Sequence, residues 1–188
     1  MNFILTVLAF ASLALALATP NTHTPAPRHR SAAAARGLLD ILTPPSPDTS
    51  AYLWEHNKVR LAHAAPLLTW NATLAAKAAQ WANTCQVKHS GGSLLPSPYG
   101  ENVVAATGAF PIAAAMSQFT VDSAGYDPAK PAFSHFTQVV WKATTQLGCA
   151  KAQCNDVFDP SLGAASYYVC LYYPPGNVIG QAAANVKV

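Results

Sequence analysis

Charged residues and closely spaced cysteines are scarce in this sequence, and each scarcity argues against a class of function. Only 10% of the 188 residues are charged, and the formal net charge is +3. So weak a bias does not predict a nucleic-acid partner. No C-x-x-C pair is present, which disfavours a metal site built from thiolates. Neither a G-x-S-x-G elbow nor an H-E-x-x-H motif occurs, so two common hydrolase signatures are missing.

The longest apolar run lies at the amino terminus and is typical of a secretory signal. Residues 3–18 are almost wholly apolar, and residues 16–18 (Ala-Leu-Ala) offer the small side chains of a cleavage site. The run is short for a membrane span and ends at Pro20, so it predicts a signal peptide over residues 1–18 and no stable membrane anchor. An uncleaved anchor is the alternative, because no Lys or Arg precedes the run.

Residues 19–48 form a second block, rich in Pro, Ala, Thr and Ser. They offer little apolar surface to offset the entropy of ordering, which predicts a disordered linker or a removable pro-segment. The four scattered cations of this block have no aromatic neighbours, a composition that disfavours nucleic-acid binding. The remaining residues, 49–188, are numerous enough for one domain with its own core.

Cysteine usage agrees with export. The cysteines are even in number, at Cys85, Cys149, Cys154 and Cys170. In an exported chain this predicts two disulfides and a secreted, extracellular protein. Asn71 begins an Asn-Ala-Thr sequon, which predicts a glycoprotein with a surface glycan at that position.

The periodicity of the domain predicts helices first and strands last. Predicted helices cover residues 50–63, residues 71–85 with Asn71 as the cap, residues 111–122 with Pro111 in the first turn, and residues 134–144. Residues 147–154 and 165–173 have β-type composition and predict an antiparallel hairpin. This order predicts an α+β domain with a small antiparallel sheet.

Residues 134–144 combine an apolar stripe with a polar edge. The stripe repeats at helical spacing and consists of Phe136, Val139, Val140 and Ala143. The edge consists of His135, Gln138 and Lys142. A histidine beside an apolar face is more often structural than functional, so the role of His135 has to be inferred from residues elsewhere in the chain.

Four motifs, taken together, supply that evidence. They are H-N-K-V-R at residues 56–60, G-E-N-V at residues 100–103, the 134–144 segment with H-F-T-Q-V-V-W, and Y-Y-V-C-L-Y-Y-P-P-G-N at residues 167–177. Their order and content closely resemble the CAP superfamily of cysteine-rich secretory, antigen 5 and pathogenesis-related class 1 proteins, and most of all its fungal secreted, PRY-like members. The resemblance covers residues 49–177. It implies an α-β-α sandwich with a three-stranded antiparallel sheet between helices.

The resemblance also implies a cavity lined by two histidines and two acids. Carried over position by position, this tetrad is His89, Glu101, Asp122 and His135. Such donors suit a divalent metal, zinc or magnesium, bound by His89, Glu101 and His135 with water completing the shell. They equally suit proton transfer. Asp122 replaces the usual Glu of the family and is one methylene shorter, so it is expected to reach an ion through water.

The same resemblance implies the disulfide pairing and the roles of the other motif residues. It pairs Cys85 with Cys154 and Cys149 with Cys170. Structural roles are expected for the remaining polar positions: His56, Asn57 and Arg60 on the first helix, and Tyr172 and Asn177 near the sheet. Arg60 is also close enough in sequence to Glu55 to pair with it.

The sequence is compatible with three functions. The first is binding and export of a sterol or fatty acid, with a role in host interaction or defence, in an apolar groove between Ala-rich helices. The residues between the G-E-N turn and the H-F-T-Q helix have few aromatics, which weakens the sterol version. The second is a metal-dependent or Ser/His hydrolase, which the missing motifs disfavour. The third is an effector that engages a host or cell-wall component without a lipid.

Overall fold

The structure, a computed structural model, describes residues 46–187. The predicted signal peptide and nearly all of the predicted linker lie outside the described residues. The first helix, α1, covers Pro47–Ala62 and so begins before the predicted start at residue 50. Its start is well specified, because the Ser46 side chain accepts a hydrogen bond from the Thr49 N–H and Pro47 occupies the first turn. No helix of this part of the chain is long and apolar enough to cross a membrane.

Three further helices begin close to their predicted starts, and all three are shorter than predicted. α2 covers Ala72–Ala82, α3 covers Ile112–Gln118 and α4 covers His135–Val139. The predicted cap of α2 is confirmed, since Asn71 Oδ1 accepts hydrogen bonds from the N–H groups of Thr73 and Leu74. α3 ends early where the hydroxyl groups of Ser117 and Thr120 bond to backbone carbonyls and compete with the helical pattern.

The apolar stripe of residues 134–144 predicted too long a helix. α4 has five residues and begins with a capping box between Ser134 and Thr137. Phe136, Val139 and Val140 are buried as predicted, whereas Ala143 is exposed. Gln138, which was expected at the edge of the stripe, is buried as well. The helix ends early because the Arg60 guanidinium donates hydrogen bonds to carbonyl oxygens at and beyond the end of α4. The helical period of a sequence does not reveal so distant a partner.

A four-stranded sheet forms the middle layer. Its strands are β1, Thr69–Trp70; β2, Gly100–Thr107; β3, Gln146–Cys154; and β4, Ala165–Tyr173. The order is β1-β3-β4-β2, in which β3, β4 and β2 are antiparallel and the two-residue β1 runs parallel to β3. The predicted hairpin of β3 and β4 is confirmed. β2 was missed, since its Gly-Glu-Asn start was taken for a turn. Residues 46–187 also contain two 3₁₀ turns, at Ser123–Gly125 and Pro160–Leu162, and a short helix, α5, at Ala182–Asn185.

Helices cover both faces of the sheet, which confirms the α+β class and the layered sandwich. The central strand β4 shows the arrangement best, because its successive side chains enter different cores. Tyr168, Cys170 and Tyr172 join the core that contains residues of α1, α3 and α4. Tyr167, Val169 and Leu171 join the core that contains residues of α2. The two Ala-rich helices, α2 and α3, therefore belong to opposite faces, so the expectation of a groove between them was wrong.

Two disulfides bond all four cysteines in the predicted pairs. Cys85, which follows α2, is joined to Cys154 at the end of β3. Cys149 of β3 is joined to Cys170, its register partner on β4. The first bond ties a helix end to the sheet and the second links neighbouring strands.

Candidate functional site

The four residues of the predicted tetrad come from four different parts of the fold and line one cavity. His89 lies in the segment between α2 and β2, Glu101 is the second residue of β2, Asp122 directly precedes the first 3₁₀ turn, and His135 is the first residue of α4. The cavity has a volume of about 390 Å³. Its other walls are Asn102, Phe133, Ser134 and Asn177.

Glu101 is held by its neighbours and orients His89. Its Oε1 accepts hydrogen bonds from His89 Nδ1 at 2.7 Å and from the Ser90 N–H at 2.9 Å. Its Oε2 accepts from Ser90 Oγ at 2.5 Å, and Ser90 Oγ also contacts the Tyr99 hydroxyl. The Glu101 side chain is 7% exposed and that of His89 is 60% exposed. With Nδ1 engaged, His89 keeps Nε2 for a partner outside this network.

His135 is partly buried at the start of α4. Its ring packs against Phe119 with 5.4 Å between ring centroids. Burial lowers the pKa of His135 below its usual value; the carboxylate of Asp122 acts in the opposite direction and the ring of His89 acts in the same direction. Asp122 itself is exposed. The imidazole of His135 therefore favours its neutral form, which can act as a ligand or accept a proton.

A buried network supports the cavity wall from behind. Asn102 Nδ2 donates to the backbone oxygen of His135 and to the Tyr172 hydroxyl. His56 Nε2 lies 2.8 Å from the same hydroxyl, and its Nδ1 lies 2.8 Å from the Tyr52 carbonyl oxygen. Because Nδ1 faces a carbonyl, Nδ1 carries the proton and Nε2 accepts from Tyr172. The structural roles expected for His56 and Tyr172 are thus accounted for.

Arg60 and Asn57 hold loops rather than ion partners. Asn57 donates to the Leu68 carbonyl oxygen and accepts from the Leu68 N–H. Arg60 is fully buried and donates to four backbone carbonyl oxygens. The expected pair between Arg60 and Glu55 was wrong, because Glu55 pairs with Lys58 on the solvent side of α1.

His56 predicts how stability depends on pH. Complete burial lowers its pKa from 6.5 to about 4, so the unfolded chain binds a proton in this range more readily than the folded chain. The free energy of unfolding should therefore fall as the pH falls from about 6.5 towards about 4, by up to about 3 kcal/mol from this residue. Urea unfolding across this pH range measures the slope.

A His56→Gln variant should show a shallower slope, because glutamine does not titrate. His63, which follows α1, gives the matched control His63→Gln. Equal slopes for wild type and the His56 variant would contradict the assignment.

Sequence reasoning missed the residues that shape the wall between His89 and α4. Gln138 is buried with its side chain against two glycines: a Cβ added to Gly100 would lie 2.0 Å from Gln138 Oε1, and one added to Gly176 would lie 2.6 Å from Nε2. Gln138 Oε1 accepts from the Gly176 N–H at 2.9 Å. The sequence signal for this wall was the glycine in each of the G-E-N and P-P-G-N motifs. At both positions the Gln138 side chain leaves no room for a Cβ.

The tetrad side chains are of the types that bind a metal ion, but their donor atoms lie too far apart to form a compact site. Among residues 46–187, one set of three potential ligands has all donor atoms within 4.8 Å of one another, and it is His56, Cys149 and Cys170. The two sulfurs of that set are joined in a disulfide, so it offers no thiolate. The tetrad is wider, and an ion shared by His89 and His135 would need water or a side-chain rotation to complete its shell.

Neither serine beside a tetrad histidine is arranged as a nucleophile. Ser90 Oγ donates to the carboxylate of Glu101. The Ser134 side chain caps α4 by accepting from the Thr137 N–H. A serine nucleophile needs an imidazole as its base, and among the described residues neither hydroxyl hydrogen-bonds to one.

Fold and site together define a disulfide-bonded α/β/α module with a cleft of two histidines and two carboxylates, the architecture of CAP proteins. Residues 53–172 match the model of the family described as CAP: Cysteine-rich secretory protein family. The chain belongs to this family.

The similar proteins include fungal proteins whose names describe them as pathogenesis-related or secreted. A probable pathogenesis-related protein of Arthroderma benhamiae is 36% identical over 145 residues, which is 71% of this chain and 47% of that protein. The secreted protein RBT4 of Candida albicans is 39% identical over 132 residues, 66% of this chain and 34% of that protein. The chain thus spans half or less of the length of these relatives. Secreted relatives and two disulfides agree with an extracellular location.

Solved structures show the same fold. Venom allergen-like protein 4 of Schistosoma mansoni aligns with a TM-score of 0.58 at 23% identity, over 71% of this chain and 92% of that one. At this identity the likeness supports the fold and not a shared ligand.

Proposed function

We propose that the protein is a secreted binding protein for a small lipid, a fatty acid in preference to a sterol, which acts in host interaction or defence. The observation that carries this proposal is an apolar groove of about 330 Å³ on the outer side of α1. Its apolar walls are Leu53, Trp54, Leu61 and Leu67. Contiguous exposed apolar surface of this kind usually marks a binding site.

The exposed side chains of the groove supply the driving force. Trp54 and Leu61 are each 67% exposed and lie two turns apart on the same face of α1. Covering a large apolar side chain is worth about 2 kcal/mol, so a hydrocarbon chain across both would gain several times the thermal energy. A single exposed leucine is ordinary on a protein surface, whereas several exposed apolar residues in one groove require an explanation.

The polar rim favours a fatty acid. Lys58 also lines the groove, and its amine is paired with Glu55 on the same helix. A fatty-acid carboxylate at the rim would compete for this amine, whereas a sterol has no anionic group to offer.

The aromatic residues between β2 and α4 give a second reason to favour a fatty acid. Phe119 is fully buried, Phe110 packs against Tyr168, and Tyr126 packs against Phe136. These three rings all pack against other side chains. Phe133, the remaining aromatic of this segment, lines the tetrad cavity and not the lipid groove, so the segment brings no free ring to a sterol in that groove.

The tetrad cleft is proposed as a zinc site. Two imidazoles favour zinc over magnesium, which prefers oxygen ligands. Nε2 of His89 and the ring of His135 would hold the ion and Asp122 would act through water. Glu101 would orient His89, as a carboxylate behind a metal-bound histidine commonly does. A bound ion would supply a fixed positive charge.

One experiment tests both parts. The protein is purified from the medium of a secreting eukaryotic host, its lipid is extracted and identified by mass spectrometry, and its metal content is measured. We expect co-purified fatty acid and stoichiometric zinc. Trp54→Ala should lower fatty-acid affinity about tenfold, since it removes a large apolar contact, and should leave zinc unchanged. His89→Ala with His135→Ala should remove zinc and leave the lipid.

Ile179 provides the matched control. It is apolar and 90% exposed and does not line the groove, so Ile179→Ala should keep full fatty-acid binding. A lipid-free protein, or one whose Trp54 variant binds as wild type does, would remove the lipid proposal. A sterol in the extract would correct the ligand class.

A further inference from the structure

The tetrad cavity is the middle part of a longer groove. A second cavity of about 290 Å³ shares His89, Glu101 and Asn177 with it and continues along Gly91, Gly92 and Tyr99. A third cavity of about 220 Å³ shares Asp122 and Ser134 with it and reaches Tyr126 on the other side. Since the outer two cavities have no wall residue in common, the three lie in a row. Their length exceeds what one metal ion would need.

Aromatic rings accompany each part of this groove. Phe133 lines the middle cavity and is 41% exposed. Tyr99 and Tyr126, both partly buried, line the outer two. The ring of Phe133 is held edge-on against buried Trp141, with 6.1 Å between centroids. A positioned ring with one open side offers a flat apolar surface at little entropic cost.

Charge and polarity narrow the ligand class. No residue that lines the three cavities in the described part of the chain is Lys or Arg, whereas Glu101 and Asp122 are both present. With no metal bound, carboxylates without cations repel phosphate and sulfate groups, which argues against nucleic acids and sulfated glycans. The remaining walls carry imidazole, amide and hydroxyl groups, so a hydrocarbon chain would leave them without partners.

The polar walls are also fixed in place. Asn177 accepts from Thr137 Oγ1 and donates to the Ser134 carbonyl oxygen. The hydroxyl groups of Ser90 and Tyr99 hydrogen-bond to each other. Ser90 also donates to Glu101, and the Tyr99 hydroxyl accepts from the Leu94 N–H. Groups held in this way lose little freedom when a ligand binds. The exposed groups left to meet a ligand are the Asp122 carboxylate and the imidazole of His89.

We infer that this groove binds a neutral oligosaccharide, with the apolar face of a pyranose ring over Phe133 and its hydroxyl groups on Asp122 and His89. A sugar chain presents apolar C–H faces and hydroxyl edges in regular alternation, which matches rings and polar groups that alternate along a groove. This site is separate from the lipid groove on α1 but overlaps the cleft proposed for zinc. The inference therefore concerns the metal-free protein and goes beyond the proposed function.

Calorimetry with the full secreted chain tests the inference. The probes are soluble β-linked glucose and N-acetylglucosamine oligosaccharides in a series from disaccharide to hexasaccharide. We expect affinity to rise with length until the groove is filled. Phe133→Ala should weaken binding about tenfold, the effect of one lost aromatic contact. Asp122→Asn should weaken it about fivefold through a charge-assisted hydrogen bond. Binding should persist after metal removal by a chelator.

The chain offers a matched control in Phe158, which is 43% exposed and lies in the β3–β4 connection away from the groove. Phe158→Ala should bind as wild type does. The inference is overturned if no oligosaccharide binds, if the Phe158 variant loses as much affinity as the Phe133 variant, or if extended peptides bind where sugars do not. Asp122 is exposed, so its variant remains a test even if the Phe133 variant does not fold.

Discussion

Arg60→Met should lower the free energy of unfolding by about 5 kcal/mol, enough to unfold many domains of this size. The side chain is fully buried, and its guanidinium donates to four backbone oxygens. They are Pro66 O at 2.6 Å, Val139 O at 2.7 Å, Trp141 O at 2.9 Å and Thr144 O at 2.8 Å. Methionine fills much of the volume but leaves these acceptors without donors, at about 1 to 3 kcal/mol each. Urea unfolding monitored by circular dichroism measures the loss.

The environment of Arg60 explains why a cation is tolerated in the core without a carboxylate partner. Burial lowers its pKa to about 10, so it stays charged at neutral pH. Two of its acceptors are the carbonyls of Val139 and Trp141 at and beyond the end of α4, where the helix dipole is negative. Arg60 thereby holds the short helix whose first residue is His135, and its loss should displace that imidazole.

Lys58→Met is the matched control. Lys58 belongs to the same helix, is exposed and pairs only with Glu55 among the described residues, so its loss should cost less than about 1 kcal/mol. Arg60→Lys should fall between the two, because an ammonium group keeps the charge but has fewer donors. If Arg60→Met proves as mild as the control, the role of the four carbonyl bonds is wrong.

Local chemistry made part of the fold predictable. Asn71 caps α2 through contacts two and three residues away, and β4 has the aromatic and β-branched composition of a buried strand. β2 could not be recognised in this way. Its Gly-Glu-Asn start and its two alanines are poor strand formers, and they mask the strand preference of Val103, Val104 and Thr107. Its pairing with β4 is a tertiary choice that no local pattern encodes.

Part of the candidate site could likewise be predicted from the sequence and part could not. Residue-by-residue resemblance named His89, Glu101, Asp122 and His135, and the structure brings all four to one cavity. Periodicity could not have done so, because the four lie on separate elements joined by loops. The support around them also needed coordinates. Ser90 and Tyr99 have no distinguishing sequence pattern, yet they fix the carboxylate that orients His89.

Removing the Cys85–Cys154 bond should have the second largest effect. The bond closes a loop with a sequence separation of 69, for which chain entropy predicts a loss of about 4 kcal/mol on its removal. Alanine at both positions avoids placing a hydroxyl in the core, since Cys154 is buried. We expect the double variant Cys85→Ala/Cys154→Ala to unfold at lower urea concentration, with faster amide exchange across residues 86–99, the segment that carries His89.

The second bond is the internal control. Cys149 and Cys170 are separated by 21 residues and sit on paired strands, so Cys149→Ala/Cys170→Ala should cost about 3 kcal/mol and leave exchange across residues 86–99 unchanged. The segment retains other anchors. Trp81 Nε1 and the Tyr167 hydroxyl both donate to the Lys88 carbonyl oxygen, and His89 and Ser90 hydrogen-bond to Glu101. If these bonds alone fixed it, both double variants would exchange at the same rate there, and the disulfide would have no part in positioning His89.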